Sequence, residues 1–268
     1  MRTGFRAATD EERKALGVPP AYTDVCVPIE KGGKLLAIAR IPNGKTYYKY
    51  AKAETEKNAR AKWKRIAKLG VKLEKIEARL EADIARDVGE AYTVRLILLT
   101  GMRNGNPPQG NDKDKPSYGA SSLLMKHVQT YNDKLVFDFP GKHHVQQHIE
   151  IEDKVLAAYV WERCCQITGP HPGDAPLFLH SAGDTLRYLK KIGAEKVHDL
   201  RTLRGNVLAN AIVDEVLKIG KPTSKKEFKA MLKFLGEQVG AALGNKPSQA
   251  LKSYIDPSVI ERLNPDAE

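Results

Sequence analysis

Cysteine is scarce in this chain: there are three, Cys26, Cys164 and Cys165, in 268 residues. Cys164 and Cys165 are adjacent within a helical pattern, and Cys26 sits in a strand-like run. That spacing is neither a zinc site nor a disulfide framework. The expectation is small buried side chains in a reducing compartment. Long apolar runs are missing too. Val94–Leu99 is the greasiest stretch and is far too short to cross a bilayer. The opening MRTGFRAATDEERKALG has no apolar signal region, so the protein is expected to stay inside the cell and not to be secreted. No internal repeat and no low-complexity tail is present. Acidic residues are in deficit, 33 Asp and Glu against 44 Lys and Arg, which leaves a net charge of +11. A surplus of that size suits a polyanionic partner, although a merely basic surface would also produce it.

What is there is an ordinary globular composition, 41% hydrophobic and 29% charged, with enough length for one large domain or two modest ones. The first part alternates strand and turn. Thr23–Ile29, Leu35–Ile41 and Thr46–Tyr50 read as strands joined by Lys31-Gly32-Gly33-Lys34 and Pro42-Asn43-Gly44-Lys45. A basic helix follows over Ala53–Leu69, with Trp63 and Ile66 on its apolar side, and Gly70 is expected to stop it. Arg60, Lys64 and Arg65 on this helix are candidate DNA-binding residues. The remainder reads as mainly helical: 73–84, 89–100, 153–166, 184–191, 199–217, 224–243 and 248–254. Ser224 and Glu227 make a capping-box pattern, and Gly244 is a helix stop. Leu135–Phe139 and Val145–Ile151 flank Pro140-Gly141 as a hairpin, and Asn106–Lys115 reads as a loop. The expected fold class is α+β. A small N-terminal antiparallel β-sheet domain (1–72) precedes a larger, mainly α-helical domain (73–268) with a short hairpin.

Four short segments carry the chemistry. Thr100-Gly101-Met102-Arg103-Asn104-Gly105-Asn106 puts an arginine just past a helix end. Phe139-Pro140-Gly141-Lys142 puts a lysine at a hairpin tip. His198-Asp199-Leu200-Arg201-Thr202 puts an arginine at a helix start. Leu243-Gly244-Asn245-Lys246-Pro247 lies ahead of Lys252-Ser253-Tyr254-Ile255-Asp256-Pro257. Each alone is weak, because a lone arginine or lysine is usually solvated and a lone tyrosine usually packs. The ordered set Arg103, Lys142, His198-x-x-Arg201, Asn245, Tyr254 suits phosphodiester chemistry. Guanidiniums grip non-bridging oxygens with forked hydrogen bonds and stay charged at working pH. Fixed donors aimed at developing charge are typically worth about 3–4 kcal/mol each. A phenol with a pKa of about 10 makes a nucleophile that can later leave. A lysine supplies the proton that a departing 5′-oxygen needs.

The ordered set resembles the active site shared by type IB DNA topoisomerases and tyrosine recombinases. Pro19-Pro20-Ala21-Tyr22-Thr23-Asp24-Val25 and Gly44-Lys45-Thr46-Tyr47-Tyr48-Lys49-Tyr50 resemble the β domain of bacterial-type topoisomerases IB. Ser117-Tyr118-Gly119-Ala120-Ser121-Ser122-Leu123 is similar to the segment after their first catalytic arginine. The Leu243–Pro247 and Lys252–Pro257 segments are close to their tyrosine motif. By position, the resemblance implies that Arg103 and Arg201 bind the scissile phosphate, Lys142 is the general acid and Tyr254 the nucleophile. Asn245 takes the place of the histidine of poxvirus-type enzymes. It further implies double-stranded DNA as partner, a 3′-phosphotyrosyl link, no metal, no ATP and no other cofactor. A monomer clamped around DNA is expected, nucleoid-associated or viral, with no membrane association.

His198 stands where topoisomerases more often carry lysine and recombinases histidine. It reads either as a second proton donor or as a helix-start residue without chemistry. His143, His144 and His148 are expected on a strand with His144 and His148 on one face, facing solvent or DNA rather than a metal. Two alternatives stay open at this point: a tyrosine recombinase, and a non-catalytic basic DNA-binding protein.

Overall fold

The computed structural model describes residues 3–30, 32–105 and 116–267. The loop expected over Asn106–Lys115 lies outside the described residues. The fold is α+β, and the chain divides into two compact units, Met1–Arg65 and Ile66–Glu268.

The first unit is a four-stranded antiparallel sheet in the order β1 (Phe5–Ala7), β2 (Thr23–Pro28), β3 (Leu35–Arg40), β4 (Thr46–Tyr50). Val25, Val27, Ala37 and Ala39 alternate along β2 and β3 and pack with Val18, Leu16 and Tyr47 into a small core. Neither β1 nor α1 (Asp10–Ala15) was among the expected elements. The signal for α1 was there: Thr9 caps the helix and Glu12 answers from the third helical position, a full capping box.

Helix α2 (Lys52–Val71) runs past Gly70 instead of stopping there. A Cβ on Gly70 would meet Leu203 at 3.6 Å, an ordinary contact. Glycine costs an α-helix only about 1 kcal/mol, which packing on Ile66 and Leu69 offsets. The second unit continues with α3 (Leu73–Ile84) and α4 (Gly89–Thr100). The expected hairpin is two strands of a three-stranded sheet, β5 (Val128–Tyr131), β6 (Lys134–Pro140), β7 (Gln146–Glu152). The missed strand β5 joins β6 through a turn in which Asn132 takes φ 55°, a left-handed conformation that Asn tolerates.

Five helices complete the unit: α5 (Lys154–Gln166), α6 (Ala182–Lys191), α7 (Val197–Ile219), α8 (Lys225–Ala242) and α9 (Pro247–Ser253), with a short α10 (Pro257–Glu261) after them. Ser224 caps α8 by accepting from Glu227 N, but the Glu227 carboxylate reaches Thr223 N and Thr223 Oγ1. The capping box is therefore displaced by one residue, because the Thr223 hydroxyl offers a second donor. Ala209, Val213, Leu235, Val239 and Ile255 form the core that joins α7, α8 and the C-terminal segment. Cys164 and Cys165 are exposed and Cys26 half-buried, against the expectation of burial. The helical period turns Cys165 away from the buried Leu156, Ala157 and Val160, whereas Cys164 shares their side but lies in the last turn of α5. Among the described residues no helix is long and apolar enough to cross a membrane.

Candidate active site

Four of the residues singled out in the sequence line one cleft of about 560 Å³ in the second unit: Arg103, Lys142, Arg201 and Asn245. They come from four separate segments, and each segment is fixed by a local device.

Helix α4 ends where Gly101 turns left-handed at φ 67°, and its N–H closes on Ile97 O at 2.8 Å. The chain then delivers Arg103 to the cleft. Arg103 O accepts from Ala120 N at 2.8 Å and Asn104 O from Ser121 N at 2.7 Å. The two backbones touch at Gly105 and Gly119, where a Cβ on Gly119 would lie 2.5 Å from Arg103 O. Asn104 adds a clasp: its Nδ2 donates to Ala182 O at 2.9 Å and its Oδ1 accepts from the Ser121 hydroxyl.

Lys142 opens a single 3-10 turn, Lys142–His144, between β6 and β7. That turn closes through Gly141 N to Val145 O and His144 N to Gly141 O, both 2.9 Å. The ammonium group is exposed at the cleft. Gln147 on β7 packs against the glycines that precede Lys142 and Asn245: a Cβ on Gly141 or on Gly244 would collide with its side chain. Because β7 begins at Gln146, His144 does not share a strand face with His148, as alternation had suggested. His148 instead bonds Asp138 across the β6–β7 pair at 2.8 Å, which raises its pKa, and Glu150 at 3.2 Å. Among the described residues no group of three or more potential ligands could hold a metal ion.

Arg201 sits in the second turn of α7 and is only 4% exposed. Its Nη1 donates to Gly101 O and its Nη2 to Leu243 O, so it ties the α4 end to the α8 end. Its Nε is buried with no acceptor. Asn245 follows Gly244, which turns at φ 57°, and Asn245 N donates to Gly240 O at 2.8 Å. The Asn245 Nδ2 is likewise buried without an acceptor. Burial pushes the Arg201 pKa down, because desolvation penalises the charged form.

Tyr254 closes α9 and is 2% exposed, behind the cleft rather than in its lining. The Arg201 guanidinium carbon lies 5.3 Å from its ring centroid. His198 also stacks with this ring, with centroids 5.4 Å apart and planes at 14°. Tyr254 Oη is 3.4 Å from His198 Nε2. Burial pushes the phenol pKa up, but the adjacent Arg201 guanidinium first, then the Arg103 charge and the Asn245 amide, outweigh it, and the phenol ends below its ordinary value. Gly205, one turn beyond Arg201, admits the tyrosine backbone: a Cβ there would meet Tyr254 Cβ at 3.1 Å and Tyr254 O at 3.2 Å. Asn206 Oδ1 accepts from Asp256 N at 2.9 Å and fixes the chain just after the tyrosine.

Arg60 and Lys64 are exposed and Arg65 half-buried, all on α2 within the first unit. Asn104, Gln147, Thr202, Gly205 and Asn206 were not singled out in the sequence. Gly205 carried a usable signal, since it shares a helix face with Arg201 at a spacing of four. Thr202 likewise stands one turn from His198, whereas Asn104 and Asn206 had no such signal, because their partners lie far away in the chain.

A buried tyrosine in contact with an arginine and a histidine, beside a cleft with several cationic groups, is suited to nucleophilic attack on an anionic ester. Residues 51–263 match the family described as eukaryotic DNA topoisomerase I, catalytic core, and the chain belongs to that family. It is also similar to the DNA topoisomerase 1B of Acanthamoeba polyphaga mimivirus, with 24% identity over 259 residues that cover 91% of this chain and 77% of that protein.

Proposed function

We propose that this protein is a type IB DNA topoisomerase that relaxes supercoiled duplex DNA by transient cleavage of one strand and religation. The observation that carries the reading is the pair of buried donors, Arg201 Nε and Asn245 Nδ2, which have no acceptor in a cleft also lined by Arg103 and Lys142. Buried donors are almost always satisfied, and an anionic ester in the cleft would satisfy these two. A phosphodiester fits, because it brings two non-bridging oxygens and one negative charge. Arg103 and Arg201 then hold the phosphate, Asn245 donates to a non-bridging oxygen, and Lys142 protonates the departing 5′-oxygen. Tyr254 forms the 3′-phosphotyrosyl bond. That bond conserves the energy of the broken one, so resealing needs no ATP. Three cationic side chains supply the charge that a metal supplies elsewhere. Asn245, with the Pro19–Val25 and Gly44–Tyr50 segments, supports placement in the bacterial-type branch. The enzyme is proposed to act as a monomer. A recombinase is not favoured, given the family match over 51–263.

Supercoiled plasmid incubated with the protein and EDTA, without ATP, tests this. A ladder of relaxed topoisomers is expected from the wild type. Tyr254→Phe is expected to give neither a ladder nor a denaturant-resistant DNA adduct, while still binding DNA. An unchanged plasmid, or an adduct formed by the Phe variant, overturns the reading.

A further inference from the structure

We infer that Thr202 holds His198 in the neutral tautomer whose bare Nε2 accepts the proton of Tyr254, which makes Thr202 a positioning residue and His198 the proton acceptor for the nucleophile. The inference rests on the topoisomerase reading, because it needs Tyr254 to be the attacking group.

The argument is a count of hydrogens. Thr202 follows His198 by one turn of α7 and is fully buried. Its Oγ1 lies 3.1 Å from His198 O and 3.3 Å from His198 Nδ1. A carbonyl oxygen only accepts, so the single hydroxyl hydrogen of Thr202 goes to His198 O, the usual back-bond of a threonine inside a helix. Only lone pairs of Oγ1 then remain to face the ring. Nδ1 must carry the hydrogen of that contact. A neutral imidazole with hydrogen on Nδ1 has none on Nε2. That bare nitrogen is the one 3.4 Å from Tyr254 Oη. The two rings lie near-parallel, at 14°, with centroids 5.4 Å apart.

The tautomer assigns His198 the opposite of a second proton donor in the forward step. As Tyr254 Oη bonds to phosphorus, its proton passes to His198 Nε2. The bond from phosphorus to the 5′-oxygen breaks, and that oxygen takes a proton from Lys142 Nζ. In religation the 5′-hydroxyl returns its proton to Lys142 and the imidazolium returns one to Tyr254, so atoms and charge balance in both directions.

Single-turnover cleavage of a duplex oligonucleotide separates donor from acceptor. The substrate carries one mapped cleavage site with either oxygen or sulfur at the 5′-bridging position. A thiolate leaves without a proton, so sulfur rescues loss of an acid but not loss of a base. Lys142→Ala is expected to be slow on oxygen and close to wild type on sulfur. His198→Gln is expected to be slower by roughly 100-fold on both substrates. Thr202→Val, which removes the lone pairs, is expected to lose about tenfold on both, and Thr202→Ser to restore the rate. Rescue of His198→Gln by sulfur overturns the inference, as does wild-type cleavage by Thr202→Val. Should the valine variant fail to melt cooperatively, His198→Gln and Thr202→Ser decide the outcome. A wild type that forms no covalent adduct sinks the topoisomerase reading itself, a result distinct from either.

Discussion

Arg201 joins two main-chain segments and the Tyr254 ring through one side chain. Two of its guanidinium nitrogens are spent on main-chain carbonyls, Gly101 O and Leu243 O, and one donor is left without a partner. The same group sits over the Tyr254 ring and lowers the phenol pKa. Lysine keeps the charge but has no planar fork, so it cannot reach both carbonyls and still present a donor to phosphate. Arg201→Lys is therefore expected to slow single-turnover cleavage by roughly 100-fold or more. A cleavage rate within threefold of wild type would mean that charge alone is what position 201 supplies.

At the scale of elements, a single carboxylate joins α3 to α6. Asp83 is buried, accepts from Arg79 at 2.8 Å on its own helix and from Tyr188 Oη at 2.9 Å on α6, and bonds Arg86 as well. The Arg79 hydrogen bond, then those of Tyr188 and Arg86, hold its pKa down at about 2 against the opposing effect of burial. The sign follows from the direction of the shift. A carboxylate whose folded pKa lies below its unfolded value contributes stability above the ordinary carboxylate range. That contribution is lost as pH falls from about 4 towards 2. Asp83→Asn lacks it at every pH. The gap in melting temperature between wild type and Asp83→Asn is thus expected to be wide at pH 7 and to narrow by pH 3. A gap that stays constant between those two pH values would show that the Asp83 charge does not hold this joint.

For the whole molecule, the +11 charge is the property that reaches furthest. Helix α2 is exposed along most of its first two-thirds, so its basic residues are available to phosphate. Replacing Arg60, Lys64 and Arg65 with Gln is expected to weaken DNA binding evenly across sequences. It should also flatten the log–log salt dependence by about 0.9 for each phosphate contact removed. Fluorescence anisotropy at several salt concentrations reads both. An unchanged slope would place the DNA-facing charge on the second unit alone.

The sequence by itself determined which candidate site residues stand in which order along the chain. Arg103, Lys142, Arg201, Asn245 and Tyr254 stood out as candidates because each lies in a motif that resembles one of a known family. Most helices and the β6–β7 hairpin were legible because period, caps and turn residues act within a few positions. Only the tertiary structure decided the rest. Strand β5 is four residues long and has meaning only against β6. Gly70 stays helical because Ile66 and Leu69 bury their side chains beside it. Gly119 must be glycine because Arg103 O, from a segment well before it in the chain, comes within 2.5 Å of where a Cβ would stand. The tautomer of His198 depends on where one hydroxyl hydrogen of Thr202 goes, and the role of that tautomer depends on Tyr254 arriving from the far end of the chain. Local propensity is set by neighbours in sequence, whereas close approach and hydrogen-bond direction are set by partners that only folding brings together.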